Sequence, residues 1–261
     1  MQPFISGDTY TTPVDTPRPW LDRLMPNGRL YFVLHYARLV VGGWRLARQG
    51  RYDHEAWARS SWATFKVLEA IGGRMHLGGL NHIANLHGPA IFAANHMSSL
   101  EGTVFPALIV PHRPVTFIVK SSLLRYPLFG PMLAATNPIA IDRVNPRDDL
   151  NRMLTEGADC LAAGTSLVIF PEATRRSAFD PRHFNSLGIK LARRAGVPVI
   201  PVALKTDFWG NGRLIRDLGP IRRDRPVYIQ FGAPVDASGS SRAAHQQVVD
   251  FIAAHHQRWT A

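Results

Sequence analysis

The feature that most constrains the fold is an alternation that begins after Gly73, where short apolar segments alternate with longer helical stretches. The apolar segments are 90–95, 115–119, 138–142, 166–170, 197–204 and 226–231, and the helical stretches lie near 98–109, 146–163, 184–195 and 241–258. Continuous apolar runs are typical of strands that are buried on both faces. The alternation therefore predicts an α/β fold with a mostly parallel central sheet flanked by helices.

The residues before this region predict two further segments. Residues 1–26 hold five prolines and are expected to form an irregular arm. Residues 27–72 predict a helical pair, with one helix to about residue 49 and a second over 53–71, before Gly72 and Gly73. The organisation expected is thus an arm over 1–26, a helical pair over 27–72 and an α/β domain over 73–261.

The first helix of the pair is amphipathic. Its apolar face carries Phe32, Tyr36, Leu39, Val40, Trp44 and Leu46, and its polar face carries His35, Arg38, Arg45, Arg48 and Gln49. Two interpretations stay open at this stage. The apolar face can pack on the core, or the helix can lie in a membrane interface with its aromatic side chains in lipid and its arginines at the headgroups.

Charge and cysteine content restrict the partners and the kinds of site. Thirty Lys and Arg against nineteen Asp and Glu give a net charge of +11, which favours nucleic acid, an anionic membrane or phosphate-bearing substrates. Cys160 is the one cysteine, so an internal disulfide and a cysteine-based zinc site are excluded. We predict a protein without a signal peptide or membrane span, because the first 26 residues lack an apolar stretch and His35 and Arg38 interrupt the segment 30–44.

A histidine and an acid flank the junction after the first strand of the alternation. His96 follows the strand directly, and Glu101 falls in the first turn of the next helix. On one continuous helix, residues five apart would point about 140° away from each other, but across a strand–turn–helix junction they can meet. A carboxylate there can hold one imidazole nitrogen and leave the other as a general base.

Cations and hydroxyls follow other strands of the same sheet. Glu172, Thr174, Arg175 and Arg176 come directly after the strand 166–170. Arginines at a strand's carboxyl end can clamp a phosphate, and Glu172 is expected to hold one of them in place. The alternative is a solvated basic loop.

Lys120 and Arg143 each follow a further strand, and an apolar stretch over 126–129 with Met132 lies between them. Cations beside an apolar groove suit an amphiphile with a phosphate head and a hydrocarbon tail. Core packing is the other interpretation of these apolar residues.

Together these segments resemble the glycerolipid acyltransferase family, whose best-known members are the bacterial PlsC-type 1-acyl-sn-glycerol-3-phosphate acyltransferases. The resemblance covers about residues 74–235 and rests on ordered blocks: NHMSSLE (95–101), Lys120 after VTFIV, IAIDR (139–143), FPEATR (170–175) and VPVIPVAL (197–204). The helical pair also resembles the two-helix membrane-docking element of that family. A peripheral protein at the cytoplasmic face of an anionic membrane is therefore expected.

The resemblance implies transfer of a fatty acyl group from acyl-CoA or acyl-carrier protein to the hydroxyl of a lysophospholipid, with lysophosphatidic acid as the default acceptor. His96 would be the general base and Glu101 would orient it, with no acyl-enzyme, metal or cofactor. The resemblance also implies the substrate-binding residues, which would be Lys120, Arg143, Glu172, Thr174, Arg175 and Arg176.

The chain departs from the family pattern at three positions. Glu101 stands where Asp is usual, Ala173 replaces a glycine, and Arg176 is inserted before Ser177. These changes lie in the loop that senses the acceptor head and beside the histidine, so another lysolipid, such as a lyso-aminolipid or glycolipid, stays an alternative. A non-catalytic lipid- or nucleic-acid-binding protein is the alternative of a different class. Nucleic acid is disfavoured, because many arginines flank the expected site or line helices.

Overall fold

Strands and helices alternate as predicted in a computed structural model that describes residues 1–24, 29–212, 217 and 219–260. The strands are β1 (Tyr10–Thr11), β2 (Met75–Gly78), β3 (Ile91–Ala94), β4 (Val115–Lys120), β5 (Ile139–Ile141), β6 (Ser166–Ile169), β7 (Val199–Lys205) and β8 (Val227–Phe231). The helices are α1 (Trp20–Leu24), α2 (Arg29–Arg48), α3 (His54–Ala70), α4 (Asn81–Ala84), α5 (Leu100–Ile109), α6 (Phe129–Ala134), α7 (Pro146–Ala162), α8 (Leu187–Ala195) and α9 (Ser241–Thr260).

The strands form one sheet in the order β1-β2-β8-β7-β3-β6-β4-β5. Among the described strands, five of the seven pairings are parallel, and the antiparallel ones join β1 to β2 and β7 to β8. The prediction of a mostly parallel sheet is confirmed. Because β7, β3, β6, β4 and β5 run in the same direction, the residues that follow them meet at one edge, where ligands of open α/β sheets bind.

Helices cover both faces of the sheet, so the central strands are buried on both sides. Phe32, Phe65 and Phe105, from α2, α3 and α5, pack in one apolar cluster. Leu191 and Ile252, from α8 and α9, pack in the other. Strand β3 is buried along its whole length, which explains why its sequence is apolar without alternation.

The arm over 1–26 was predicted to be irregular, but its described residues, 1–24, include a strand and a helix, which corrects that expectation. It contributes strand β1 and the short helix α1. Tyr10 and Thr12 each donate a hydroxyl hydrogen bond of 2.6 Å to the buried Glu69. Arg18 and Arg223 both bind the fully buried Asp22, at 2.7 and 2.6 Å. Apart from the Arg18–Asp22 pair, whose members are four residues apart, these contacts join residues more than fifty positions apart, so local periodicity does not predict them. Strand β2 was not predicted, because its four residues include a histidine and a glycine.

Helix α2 places its apolar face on the core. The rings of Phe32 and Tyr36 lie 4.7 and 5.3 Å from that of the buried Trp209, both edge-on. Of the two interpretations of these side chains, packing on the core is confirmed. Residues 25–28, where the predicted arm ends and the helical pair begins, lie outside the described residues. Within the described ranges, none of the helices combines the length and the apolar character that crossing a bilayer requires.

Anchoring of the arm by Glu69 can be tested with Glu69→Gln. The substitution keeps the shape of the side chain but removes the charge that Tyr10, Thr12 and Lys66 contact. We expect a loss of about 2 kcal/mol in the free energy of unfolding, since hydrogen bonds to a buried charged group are worth about 1.5–3 kcal/mol. Urea titration measures it.

The control is Glu55→Gln on the same helix, where the carboxylate is half exposed and pairs with Arg59. It should cost less than about 1 kcal/mol. Equal losses in the two variants would contradict a specific anchoring role for Glu69.

Candidate active site

The junction between β3 and α5 brings His96 and Glu101 together. Glu101 is fully buried, and its carboxylate accepts the backbone N–H groups of Met97 at 2.9 Å and Ser98 at 2.8 Å. The hydroxyl of Thr206, directly after β7, donates to the same carboxylate. His96 Nδ1 lies 3.5 Å from Glu101 Oε2. The junction thus achieves the contact that a continuous helix would not allow.

Glu101 is held in its ionised form. Burial alone raises the pKa of this carboxyl, but the His96 imidazole, the Thr206 hydroxyl and the Ser98 N–H together lower the pKa below its ordinary value. An anionic carboxylate beside Nδ1 favours the tautomer that carries its proton there. Nε2 is then left without a proton and can act as a base. At 3.5 Å the contact is an electrostatic one, and Nδ1 is buried without a hydrogen-bond partner among the described residues.

The His96 ring is held in place by stacking. Its centroid lies 4.2 Å from that of Phe170, with 25° between the ring planes, and Phe170 stacks in turn near Phe105. The imidazole side chain remains 19% exposed. The ring is therefore fixed on one side by apolar contact while part of it reaches solvent at the edge of the sheet.

The loop after β6 holds the backbone of His96 from two sides. Glu172 accepts the His96 N–H at 2.6 Å, and the backbone N–H of Arg176 donates to the His96 carbonyl at 2.8 Å. Ala173 has φ +59°, a left-handed conformation that costs an alanine about 1–2 kcal/mol. A glycine at this position would avoid that cost, because it has no Cβ.

The pKa of Glu172 is shifted in the opposite direction to that of Glu101. The pKa of the Glu172 carboxyl is raised to about 7, chiefly by burial and in smaller part by the charges of Glu101 and Asp180, while the His96 N–H and the charge of Arg176 only partly offset the rise. Of its two oxygens, Oε1 is buried without a hydrogen-bond partner. Two adjacent carboxyls therefore differ in protonation near neutral pH.

Arg175 is held by a partner other than the predicted one. We expected Glu172 to fix an arginine of this loop, but Glu172 is directed to the His96 backbone instead. Arg175 Nη2 forms an ion pair of 2.7 Å with Asp217 Oδ1, and its Nη1 donates to Asn211 Oδ1 at 3.2 Å. Ser99, at the start of α5, donates its hydroxyl to the same oxygen of Asp217 at 2.8 Å.

Of the remaining predicted substrate-binding residues, Lys120 and Arg143 lie at the ends of strands further from β3 along the same edge. Lys120 ends β4 and Arg143 follows β5; both are exposed. Strand β5 lies three strands from β3, a separation of about 14 Å at about 4.8 Å per strand. Arg143 has φ +60°, and its backbone N–H donates to the side-chain carboxylate of Asp149 at 2.7 Å. Thr174 is exposed on the loop after β6.

The apolar residues predicted to form a groove between Lys120 and Arg143 are partly exposed and partly buried in the core. Tyr126 and Leu128 are exposed at 46% and 42%, whereas Met132 is buried in the core. Gly43 of α2 leaves the room that Met132 occupies, because a Cβ at Gly43 would lie 2.4 Å from its methyl carbon. The exposed pair can face an amphiphile, and the core-packing interpretation holds for Met132.

Sequence reasoning missed four residues of the site: Phe170, Thr206, Asn211 and Asp217. Thr206 could have been found, because it directly follows β7, the neighbour of β3. Asn211 and Asp217 lie between β7 and β8 in the chain. Nothing in their local sequence indicates their partners.

The chain is similar in sequence to known acyltransferases. A family model named Acyltransferase matches residues 74–205. A 1-acyl-sn-glycerol-3-phosphate acyltransferase from Pseudomonas aeruginosa is 34% identical over 196 residues, which cover 74% of this chain and 71% of that protein. A lyso-ornithine lipid O-acyltransferase from the same organism is 30% identical over 168 residues, covering 59% of this chain and 62% of the relative.

The fold also matches a solved structure. The crystal structure of the 1-acyl-sn-glycerophosphate acyltransferase PlsC from Thermotoga maritima superposes with a TM-score of 0.66 at 19% identity, covering 89% of this chain and 95% of that one. At this identity the match demonstrates the common fold.

The raised pKa of Glu172 predicts a pH-dependent stability. Between pH 4.5 and about 7 the folded state keeps a proton on Glu172 that the unfolded state releases, so this residue lowers wild-type stability as the pH rises. Glu172→Gln removes that titration. We expect the stability of the variant relative to wild type to increase from pH 5 to pH 8 in chemical denaturation.

Glu156→Gln is the control, because Glu156 is half exposed and pairs with Arg152 on the surface of α7. Its stability relative to wild type should stay nearly constant over the same range. A Glu172→Gln profile parallel to that of wild type would contradict the assigned protonation.

Proposed function

The chain belongs to the Acyltransferase family and is an O-acyltransferase, and from this premise we propose that it acylates a lysophospholipid, with lysophosphatidic acid as the acceptor. The donor is a thioester, acyl-CoA or acyl-carrier protein. The observation that carries the proposal is the ionised, buried Glu101 facing His96 Nδ1 while the His96 ring reaches solvent at the ligand-binding edge of the sheet.

The chemistry requires one base and no covalent enzyme intermediate. His96 Nε2 removes the proton from the acceptor hydroxyl, and the resulting oxygen nucleophile attacks the thioester carbonyl carbon. The C–O bond forms, the C–S bond breaks, and the leaving thiolate takes the proton from the imidazolium. Glu101 stabilises the imidazolium charge. The residues of this chain supply each proton transfer, so we propose that no metal or cofactor takes part.

The distribution of positive charge supports anionic substrates. Arg175 and Arg176 follow β6 beside His96, and Lys120 and Arg143 extend the same edge over two further strands. A phosphate head near Arg175 places the glycerol hydroxyl of the acceptor towards His96. The exposed Lys120 and Arg143 are then available to the phosphates of the acyl donor or to an acidic carrier protein.

A second acceptor class is supported by two observations. The lyso-ornithine lipid O-acyltransferase is similar to this chain over 168 residues, and the loop that reads the head departs from the family pattern at Ala173 and Arg176. A lyso-aminolipid is therefore the alternative acceptor. A purely nucleic-acid-binding role has no comparable support.

We further propose that the protein binds peripherally to the cytoplasmic face of an anionic membrane through an N-terminal apolar patch. The patch consists of Trp20, Leu21, Leu24, Leu30 and Leu34, of which all but Leu21 are more than half exposed. Leu30 and Leu34 share a face of α2 because they are four residues apart. The exposed Arg23 and Arg38 lie nearby in sequence and can meet lipid phosphates.

The catalytic assignment predicts a large loss of rate in His96→Ala. Purified protein supplied with palmitoyl-CoA or palmitoyl-carrier protein and lysophosphatidic acid should release free thiol. His96→Ala should reduce kcat about 10³-fold, since general-base catalysis contributes about 10²–10⁴-fold. Glu101→Gln retains an oxygen for the backbone N–H groups but loses the charge, so a smaller loss in kcat, about 10²-fold, is expected.

His87→Ala, at an exposed histidine, is the matched control and should act like wild type. Equal activity of His96→Ala and wild type would refute the assignment of the base. Absence of transfer by wild type from both donors, to lysophosphatidic acid and to a lyso-aminolipid alike, would refute the proposed reaction.

The membrane proposal predicts that Trp20→Ser combined with Leu24→Ser and Leu34→Ser weakens flotation with liposomes that contain anionic lipid. Binding of wild type should also fall with increasing salt, because arginine–phosphate attraction is screened. Val14→Ser replaces an exposed apolar residue outside the patch and should float like wild type. Unchanged flotation of the triple variant would contradict docking through this patch.

A further inference from the structure

The ion pair between Arg175 and Asp217 occupies the position where the acceptor's phosphate is expected. Arg175 is the arginine of the block that, under the proposed function, binds this phosphate. Its Nη2 is 2.7 Å from Asp217 Oδ1, and its Nη1 donates to Asn211 at 3.2 Å. Each terminal nitrogen of the guanidinium already donates one hydrogen bond to a protein oxygen, and the Asp217 carboxylate balances its charge, so a phosphate competes with Asp217 for the attraction of Arg175.

The Asp217 carboxylate is held where it is by a second donor. Ser99 donates its hydroxyl to the same Oδ1 atom at 2.8 Å. Asn211 is fixed in turn, because its amide donates to the Met97 carbonyl at 3.0 Å. The pair is therefore tied to residues 97–99, which directly follow His96, and it lies next to the reacting groups.

The pair is partly open to solvent. The side chains of Arg175 and Asp217 are 19% and 33% exposed, so a headgroup can approach without the protein unfolding locally. The positive charge of Arg175 is balanced by the negative charge of Asp217 within the ion pair. A phosphate monoester, which carries up to two negative charges, meets a nearly neutral pair and the nearby carboxylate oxygen of Asp217, which repels it.

We propose that Asp217 is a specificity-determining residue that competes with the acceptor's phosphate for Arg175. It thereby weakens binding of phosphate-monoester acceptors relative to lysolipids whose heads carry a balancing cation. This inference rests on the proposed function for the identity of the reaction, and it adds the residue that sets the charge preference of the acceptor site.

The alternative role for Asp217 is to position Arg175 for phosphate binding. The two roles predict opposite effects of Asp217→Asn, which keeps the shape and can still accept from Ser99 and Arg175 but lacks the charge. Competition predicts tighter binding of a phosphate head in the variant. Positioning predicts weaker binding, because the guanidinium would be less firmly oriented.

The kinetic test compares KM for lysophosphatidic acid in wild type, Asp217→Asn and the charge-matched control Asp236→Asn. Asp236 is exposed and binds Ser238 in a separate turn. We expect KM to fall about fivefold in Asp217→Asn with kcat nearly unchanged, since Asp217 touches no reacting atom, and no change in the control. An unchanged or higher KM in Asp217→Asn would overturn the proposal.

A binding experiment tests the competition between Asp217 and a phosphate without requiring catalysis. Calorimetry with glycerol 3-phosphate as the probe should give a Kd about fivefold lower for Asp217→Asn than for wild type. Glycerophosphocholine, which carries a balancing cation, should bind the two proteins equally. The gain should disappear when Arg175→Gln is added to Asp217→Asn, because the phosphate then lacks its partner.

The outcomes separate this inference from the reaction itself. If wild type transfers acyl groups and Asp217→Asn shows no selective gain with the phosphate head, the role of Asp217 is refuted and the reaction stands. If no protein shows turnover but glycerol 3-phosphate binds Asp217→Asn more tightly, the proposed reaction fails and the competition for Arg175 stands. A Kd that is equal or higher in the variant, or glycerol 3-phosphate binding too weak to measure in both proteins, overturns the competition.

Discussion

Two buried carboxylates hold three successive backbone N–H groups at the end of β3, and the rest of the site depends on this arrangement. Glu172 accepts the N–H of His96, and Glu101 accepts those of Met97 and Ser98. A strand that ends inside a sheet must satisfy these donors, because an unpaired buried N–H is costly. Side-chain carboxylates do so here, and they also fix the direction in which the histidine leaves the strand.

The pKa values of these two carboxyls are shifted in opposite directions. Glu101 has its pKa lowered by donors that together outweigh burial, while burial dominates at Glu172 and raises its pKa to about 7. One carboxylate is thus available to support an imidazolium, and the other can carry a proton while it holds the backbone. Environments that separate the pKa values of neighbouring acids are a common means of giving them different tasks.

The position of a residue directly after a predicted strand was the feature that best predicted the residues of the site. His96, Glu172, Lys120 and Arg143 each directly or closely follow an apolar run, and parallel pairing brings those ends to one edge. The same rule covers Thr206 after β7. It fails for Asp217, because this residue does not follow a predicted strand directly and its approach to Arg175 joins positions 42 residues apart. It also fails for the arm, where Tyr10 and Thr12 contact Glu69 across more than fifty residues.

The sequence by itself determined the fold class, the family and the identity of the histidine–acid pair, because apolar runs and ordered blocks are local properties of the chain. The tertiary structure decided which face of α2 is buried, which carboxylate holds the His96 backbone and which acid neutralises Arg175. These are contacts between segments far apart in sequence. Their formation depends on how burial and charge are balanced in three dimensions, and that balance exists only after the chain has packed.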